Sequence, residues 1–387
     1  MRIIHVIDSF QPKLGYQETF LAKEQSASGH EVYVVTSDRY YRDLFNSNKN
    51  LLGKRIIGAG FFKELGINVY RLKILFEMPP RQFWLIGLEK AIEKLEPNIV
   101  IVHGVANFSA IRIAKLRKTQ KKFKVIFDDH MTFYNSNSKM RFLYPVFKLL
   151  FMPIINSSAD AFVAAGASTI AFMNITYGIP THKITNIPLG VDVKAFRFDS
   201  NERKKLRNKF SFQERDIVYI YTGKIIPEKK IEILVKAMNY LKNHDSIKVL
   251  MVGDGPAPYI NEIIKMIEAH SLDNKFFWHS SVPNEELYKF YSAADVAIWP
   301  SGASISQREA MACCLPIIIN EDSLVLELLD LNNGYASKEG DAADLAKKME
   351  ILIDENLRQQ MGSNSRLASE KIYDWSKLSK KFIDLTL

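Results

Sequence analysis

A chain of 387 residues is too long for one ordinary hydrophobic core and predicts two domains. With 47% hydrophobic and 25% charged residues, the composition is that of a globular protein and excludes a disordered or fibrous one. The net charge of +9 is uneven: residues 1–190 hold 25 Lys+Arg against 14 Asp+Glu, and the remainder 27 against 29. The basic excess therefore lies in the first half and turns it toward something anionic. The only cysteines, Cys313 and Cys314, are adjacent, which suits neither a metal site nor an ordinary disulfide and fits a reducing cytoplasm. The opening MRIIHVIDSF lacks the regions of a signal peptide, and no apolar run reaches the roughly 20 residues needed to cross a bilayer, so a cytoplasmic location is expected.

In chain order, RIIHVID, EVYVVTS, INVYRL, NIVIVHG, KVIFDDH and AFVAAG read as strands, with amphipathic helical stretches between several of them. PLGVDVKAFRFD is rich in turn residues, lacks periodicity, and reads as a connector. A second series follows: DIVYIYTG, IKVLMVGDG, KFFWHSSV, VAIWPS and LPIIIN, separated by helical patterns such as KKIEILVKAMNYLKNH. The tail is helical and amphipathic, with GSNS at 362–365 as an expected break. This alternation predicts two tandem Rossmann-like, doubly wound α/β domains, over 1–192 and 193–372, with a closing helix at 373–387 returning to the first. Ligands of such sheets sit beyond the carboxyl ends of the strands, so a cleft between the two domains is the expected site and strand-end residues are its candidates.

Gly15, between the first strand and the first helix, suits either a tight turn or the close approach of backbone to a phosphate. Gly223, Lys224 and Lys229, in YTGKIIPEKK, place two point charges in one loop, fit for a diphosphate or for a solvated face. Gly253 and Asp254, in MVGDGP, form a turn that can shape a nucleotide pocket. His130 stands at a strand end beside Asp128 and Asp129, in a structural or a catalytic role. Glu309, in SGASISQREAMACCLPIII, reads as a helix-start carboxylate that complements the helix dipole, and such a carboxylate can also accept two hydrogen bonds from ribose hydroxyls.

Taken in order, GYQETFLAKEQSASGHEVYVVTS, PNIVIVHG, IPLGVDVKAF, TGKIIPEKK, VGDGP, PNEELYKFYSAADVAIWPS and EAMACCLPIII resemble a GT-B glycosyltransferase of the large retaining family four (group 1 type) over nearly the whole chain. The resemblance implies that Lys224 and Lys229 bind the diphosphate of a nucleoside diphosphate sugar, that Gly15 leaves room beside it, and that Glu309 holds the ribose. It implies further that His130 faces the transferred sugar and that Glu327 lies on the nucleotide side. The family carries two glutamates eight positions apart; here Ser301 stands where the first belongs, which bears on the donor sugar rather than on the nucleotide. Lys224 replaces a common arginine and Cys314 the usual glycine.

The expected activity is thus retaining transfer of a sugar to an acceptor hydroxyl, in cell-surface polysaccharide or glycolipid synthesis, with no metal and no cofactor. A sugar-nucleotide epimerase and a non-catalytic nucleotide-sugar-binding partner are the alternatives. The acceptor, lipid-linked or saccharide, is implied for the first domain. There the cations of 111–150 precede an apolar stretch, Phe142 to Ile155, which reads either as a core helix or as an element at an anionic membrane surface, peripheral on the inner face of the cell membrane. No nucleic-acid docking motif accompanies the charge.

Overall fold

The computed structural model describes residues 1–386 except 48, 79–81, 134, 135, 137 and 322–325. The chain divides into two compact units, Met1–Leu189 with Trp375–Leu387, and Gly190–Asp374.

The first unit is built on β1 (Arg2–Val6), β2 (Glu31–Ser37), β3 (Gly60–Glu64), β4 (Ile67–Leu72), β5 (Ile74–Met78), β6 (Gln82–Leu85), β7 (Ile99–His103), β8 (Lys124–Asp129), β9 (Ala161–Ala164) and β10 (Ile184–Asn186). Among the described residues these form a sheet in the order β10-β9-β8-β7-β1-β2-β4-β3 and a separate β5–β6 hairpin. The sheet is parallel except for β3, an antiparallel edge. Alternation along each strand divides the core in two. Ile4, Val6, Val100, Val102, Val125 and Phe127 enter one cluster, whereas Ile3, Ile99, Ile101 and Ile126 enter the other. A sheet buried on both faces explains why its strands are near-continuous apolar runs. The second cluster is closed by the helix Gln17–Ala27 and the C-terminal helix Trp375–Asp384, where Phe20 stacks on Trp375 with centroids 5.7 Å apart.

The second unit has β11 (Ile217–Thr222), β12 (Ile247–Val252), β13 (Phe276–His279), β14 (Val296–Trp299), β15 (Ile317–Asn320) and β16 (Gly334–Ser337), in the parallel order β13-β12-β11-β14-β15-β16. Central β11 is buried at every position.

Two sequence expectations need correction. No break occurs at GSNS: the helix Glu355–Ala368 runs straight through it. Gly362 is needed for packing, since a Cβ there would lie 2.2 Å from the Cys314 carbonyl oxygen. Asn364 Nδ2 and Ser365 Oγ donate to the Asn332 and Asn333 carbonyls at 3.2 and 3.4 Å, so residues that favour turns are here spent on tertiary contacts. Second, the sheets hold strands beyond the two series expected from the sequence: β3, β5, β6, β10 and β16, each three to five residues long. β16 opens on a glycine, as the sheet requires: a Cβ on Gly334 would meet the Ile317 carbonyl oxygen at 1.9 Å.

Cys314, just past the helix Ile305–Ala312, holds a left-handed φ of 64°, a conformation natural to glycine. Cys314→Gly is expected to raise the stability of the second unit by about 0.5–1 kcal/mol, read as a higher melting temperature, because the strain of a side chain at positive φ exceeds the entropy that glycine returns to the unfolded chain.

Candidate functional site

Among the parallel strands of the two large sheets, the order reverses between β11 and β14 in the second unit and between β1 and β7 in the first. The carboxyl ends of these strands are where an open parallel sheet offers a ligand crevice.

In the second unit, three loops gather at that point. After β11, Gly223 (φ 141°) turns the chain into Lys224 and the single turn Pro227–Lys229. After β12, Gly253 and Gly255 pack directly on this loop: a Cβ on either would lie 1.9 Å from the Gly223 or 1.8 Å from the Ile225 carbonyl oxygen. The Ile225 amide donates to the Asp254 carbonyl at 2.9 Å, which ties the two loops together. Asp254 itself turns outward to accept from the Ser281 amide at 2.9 Å and from the Ser281 hydroxyl, and these bonds hold its carboxyl below the usual range. Its role here is to brace the β12 loop against the β13 loop. After β14 come Ser301, buried, and Gly302 (φ 74°). Lys229 reaches across to this third loop, donating from Nζ to the Ala303 carbonyl at 3.2 Å, and a Cβ on Gly302 would stand 2.9 Å from that ammonium. Lys224 is exposed, and Lys230 pairs with Glu339 at 2.7 Å.

The helix Ile305–Ala312 starts at the same end. Its cap is Ser304, which with Gln307 forms a reciprocal capping box. Glu309 is therefore not a helix-start residue, a correction to the sequence reading: it lies on the second turn, facing inward and 4% exposed. Asn284 Nδ2 donates to its Oε1 at 2.7 Å and the Tyr291 hydroxyl to its Oε2 at 3.4 Å. Tyr291 in turn shares a hydrogen bond with Thr222 Oγ1 at 2.8 Å, so Glu309 is keyed to the end of β11. Burial pushes the Glu309 carboxyl up to about 7, outweighing those two donors. Its neighbour Arg308 projects elsewhere, over the Tyr373 ring at 5.2 Å and 3.6 Å from Glu327. Burial raises the Glu327 carboxyl, and Arg308 only partly offsets this. Thus Gly223, Lys229, Gly253, Asp254, Ser301 and the start of the Glu309 helix share one end of the sheet, whereas Glu327 belongs to the Arg308–Tyr373 contact.

Gly15 and His130 belong to the first unit. Gly15 (φ 66°) ends the turn Pro12–Leu14, and the next residue, Tyr16, caps the helix Gln17–Ala27. That helix brings Gln17 onto Asp128, the penultimate residue of β8: Gln17 Nε2 donates to Oδ2 at 3.0 Å. His103, paired with Asp128 in the β7–β8 register, donates to the same oxygen from Nδ1 at 2.8 Å, and His130 Nε2 approaches it at 3.3 Å. Behind His103 lies His5 of β1, its Nδ1 2.9 Å from His103 Nε2 and its own Nε2 2.8 Å from Gln25 Oε1. Burial and the neighbouring His103 hold His5 neutral, down to about 3. Burial alone would raise Asp128, but His130 and His103 outweigh it and keep it ionised well below the usual range. In return Asp128 overcomes burial at His130 and lifts it to about 9. Glu18 at the helix start is also buried, and raised by burial. The arrangement presents one stably charged imidazole, 37% exposed, on a carboxylate fixed from three directions.

His5, His103, Gln17 and Gln25 were not identified from the sequence. A signal existed: His5 interrupts the otherwise apolar RIIHVI, and a polar residue inside a doubly buried strand needs a partner.

Residues 19–195 match the model of Glycosyltransferase Family 4, and residues 202–368 that of Glycosyl transferases group 1. Alpha-monoglucosyldiacylglycerol synthase of Acholeplasma laidlawii is 24% identical over 321 residues, 77% of this chain and 74% of that protein. N-acetyl-alpha-D-glucosaminyl L-malate synthase of Bacillus anthracis is 22% identical over 369 residues, 93% and 89% of the two chains. Among solved structures, Anabaena HepE in complex with UDP has a TM-score of 0.75 at 16% identity, with 99% of each chain covered. A glycosyltransferase from Rickettsia africae has a TM-score of 0.74 at 16% identity, covering 100% of this chain and 97% of that one. At these identities the structural likeness shows the shared fold, GT-B.

Proposed function

Because the chain belongs to the group 1 glycosyltransferases, we propose that it moves a sugar from a nucleoside diphosphate sugar to an acceptor hydroxyl with anomeric retention, in glycolipid or cell-surface polysaccharide synthesis. One observation carries the donor part: the β11, β12 and β14 loops meet where the sheet order reverses, and Lys229 spans from the first to the third. A diphosphate at that point gains negative charge as the glycosidic bond breaks, and fixed cations there lower the barrier. Lys229 and Lys224 supply the charge, the glycine turns let backbone come close, and Glu309 takes the ribose hydroxyls. The HepE complex with UDP and its complex with UDP-glucose support a donor of this class. Ser301 meets the donor sugar with a hydroxyl where the family carries a carboxylate. The first unit takes the acceptor, lipid-linked or saccharide, with His130 as a charged hydrogen-bond donor toward the transferred sugar. The chain's relatives include an Acholeplasma alpha-monoglucosyldiacylglycerol synthase, whose name supports a lipid-linked acceptor, and the basic excess of the first half suits an anionic membrane surface. Among the described residues no helix is long and apolar enough to cross a membrane.

Lys229→Ala is expected to lower donor turnover by about 100-fold with the fold retained, the usual order for a group that stabilises developing charge. Thermal stabilisation by a panel of sugar nucleotides identifies the donor beforehand. Undiminished turnover in the variant would remove the assignment. Release of free sugar epimer from donor alone would favour epimerisation, and donor binding without any turnover a binding partner.

A further inference from the structure

The turn Ser138–Leu143 leads into the helix Tyr144–Leu150, which has no buried residue. Its inner side is aromatic: Tyr144 meets Phe172 and Tyr177 edge-on at 5.8 and 6.0 Å, and Phe147 lies 6.2 Å from Tyr177. Its outer side is equally apolar. Phe142, Leu143, Val146, Leu149 and Leu150 are 69, 39, 52, 77 and 60% exposed, and their spacing of 1, 3, 3 and 1 is that of one helical face. Ile175, 64% exposed on the adjoining turn Met173–Tyr177, extends the patch. A short helix with large apolar side chains on both its inner and outer sides is normally enclosed, so five exposed large side chains in nine residues mark a surface that something covers.

Charge selects the occupant. From 130 to 159 the sequence has no acidic residue and carries Lys139, Arg141 and Lys148. Arg141 is fixed beside the apolar face, donating to Ser136 Oγ at 3.1 Å and to the Phe133 carbonyl. The stem of Lys148 lies flat over Gly178, where an added Cβ would fall 2.5 Å from its Cε. Among the described residues the stripe is flanked by Arg141 and Lys148, and like charges of this kind repel a second copy of the face and suit a layer with a hydrocarbon interior and an anionic surface. We propose that the outer face of Tyr144–Leu150, with Phe142 and Leu143, docks the first unit onto a bilayer containing anionic lipid. The proposal rests on the lipid-acceptor reading for its purpose and supplies the element that reading lacks. Seven helical residues span about 10 Å, so the helix lies in the interface and inserts only its outer side chains.

The test is co-sedimentation of the full chain with phosphatidylcholine vesicles, with and without about one-third phosphatidylglycerol. Binding is expected to the anionic vesicles, to weaken at high salt, and to fall at least about tenfold in L149E/L150E, which removes two inserted leucines and adds two anions. Leu75→Glu, at an equally exposed leucine on the β5–β6 hairpin, is expected to bind as the parent does. Equal binding to neutral vesicles, or unchanged binding of L149E/L150E, overturns the proposal. A parent dimer that becomes monomeric in L149E/L150E and ignores lipid also overturns it, and assigns the face to a second copy. Donor-induced thermal stabilisation is measured on the same samples. Its retention in L149E/L150E separates lost docking from lost folding, and its absence in the parent counts against the transferase reading while vesicle binding still decides this one.

Discussion

Glu309→Gln is expected to make the protein more stable at pH 8 and to weaken donor binding at the same time. The carboxyl is 4% exposed and raised to about 7, and among the described residues two hydrogen-bond donors and no cation meet it. In the unfolded chain it titrates near 4.5. Between these values the folded protein binds the extra proton, so stability falls as pH rises from 4.5 to 7 and stays lowered above 7. The deficit at pH 8 is on the order of 1–3 kcal/mol. A neutral amide of the same shape removes it, still accepts from Asn284, and shifts melting of the second unit upward by roughly 2–4 °C per kcal/mol. At pH 5, where the native carboxyl is protonated, parent and variant should melt together. A buried charge kept at such a cost is explained if a ligand uses it. Two ribose hydroxyls donate well to a carboxylate and poorly to an amide, so the stabilisation given by the sugar nucleotide is expected to fall by at least the equivalent of about tenfold in affinity. A variant less stable than its parent at pH 8 would show the carboxylate to be structural, and unchanged donor binding would remove it from the site.

The contrast between Glu309 and its helix neighbours shows what a sequence can carry. The strand–turn–helix unit was legible because VAIWP and LPIII are apolar runs around a turn, and local patterning reports burial directly. The side of the helix taken by each charge was not legible. Arg308 and Glu309 are adjacent, yet one meets Tyr373 and Glu327 and the other Asn284 and Tyr291, partners 18 to 65 residues away. The same holds for the glycines. Gly253, Gly255 and Gly334 look like turn signals, but the reason for each is a carbonyl on a neighbouring strand or loop within 2 Å of where a Cβ would be. Gly362 misled for that reason, since close approach between elements leaves no trace in local periodicity. His5 and His103 are the sharpest case. They are 98 residues apart and become partners only through the β7–β1 adjacency that the parallel sheet creates.

Those histidines set up the second large effect. Asp128→Asn is expected to destabilise the first unit by about 3–5 kcal/mol and to change how its stability depends on pH. Asp128 is fully buried and accepts from Gln17, His103 and His130, so the substitution sets an amide donor against other donors and leaves the charge on His130 without its counterion. The signs differ among the three groups. His130 is raised from 6.5 to about 9, so its contribution is complete below 6.5 and is lost as pH rises through 9. Asp128 is lowered, so its contribution is present above about 3.8 and is lost only in acid. His5 is lowered to about 3, so folding favours its neutral form and stability falls as pH drops below 6.5. The parent should therefore lose stability between pH 7 and 9, whereas the variant, which loses the largest of the charges that raise His130 and keeps Asp129 and Glu18, should lose clearly less there. Melting temperatures of both proteins at half-unit steps from pH 5 to 9.5 provide the measurement. A variant that keeps the parent's full alkaline slope would show that His130 does not owe its charge to Asp128 but to its other carboxylate neighbours, Asp129 and Glu18.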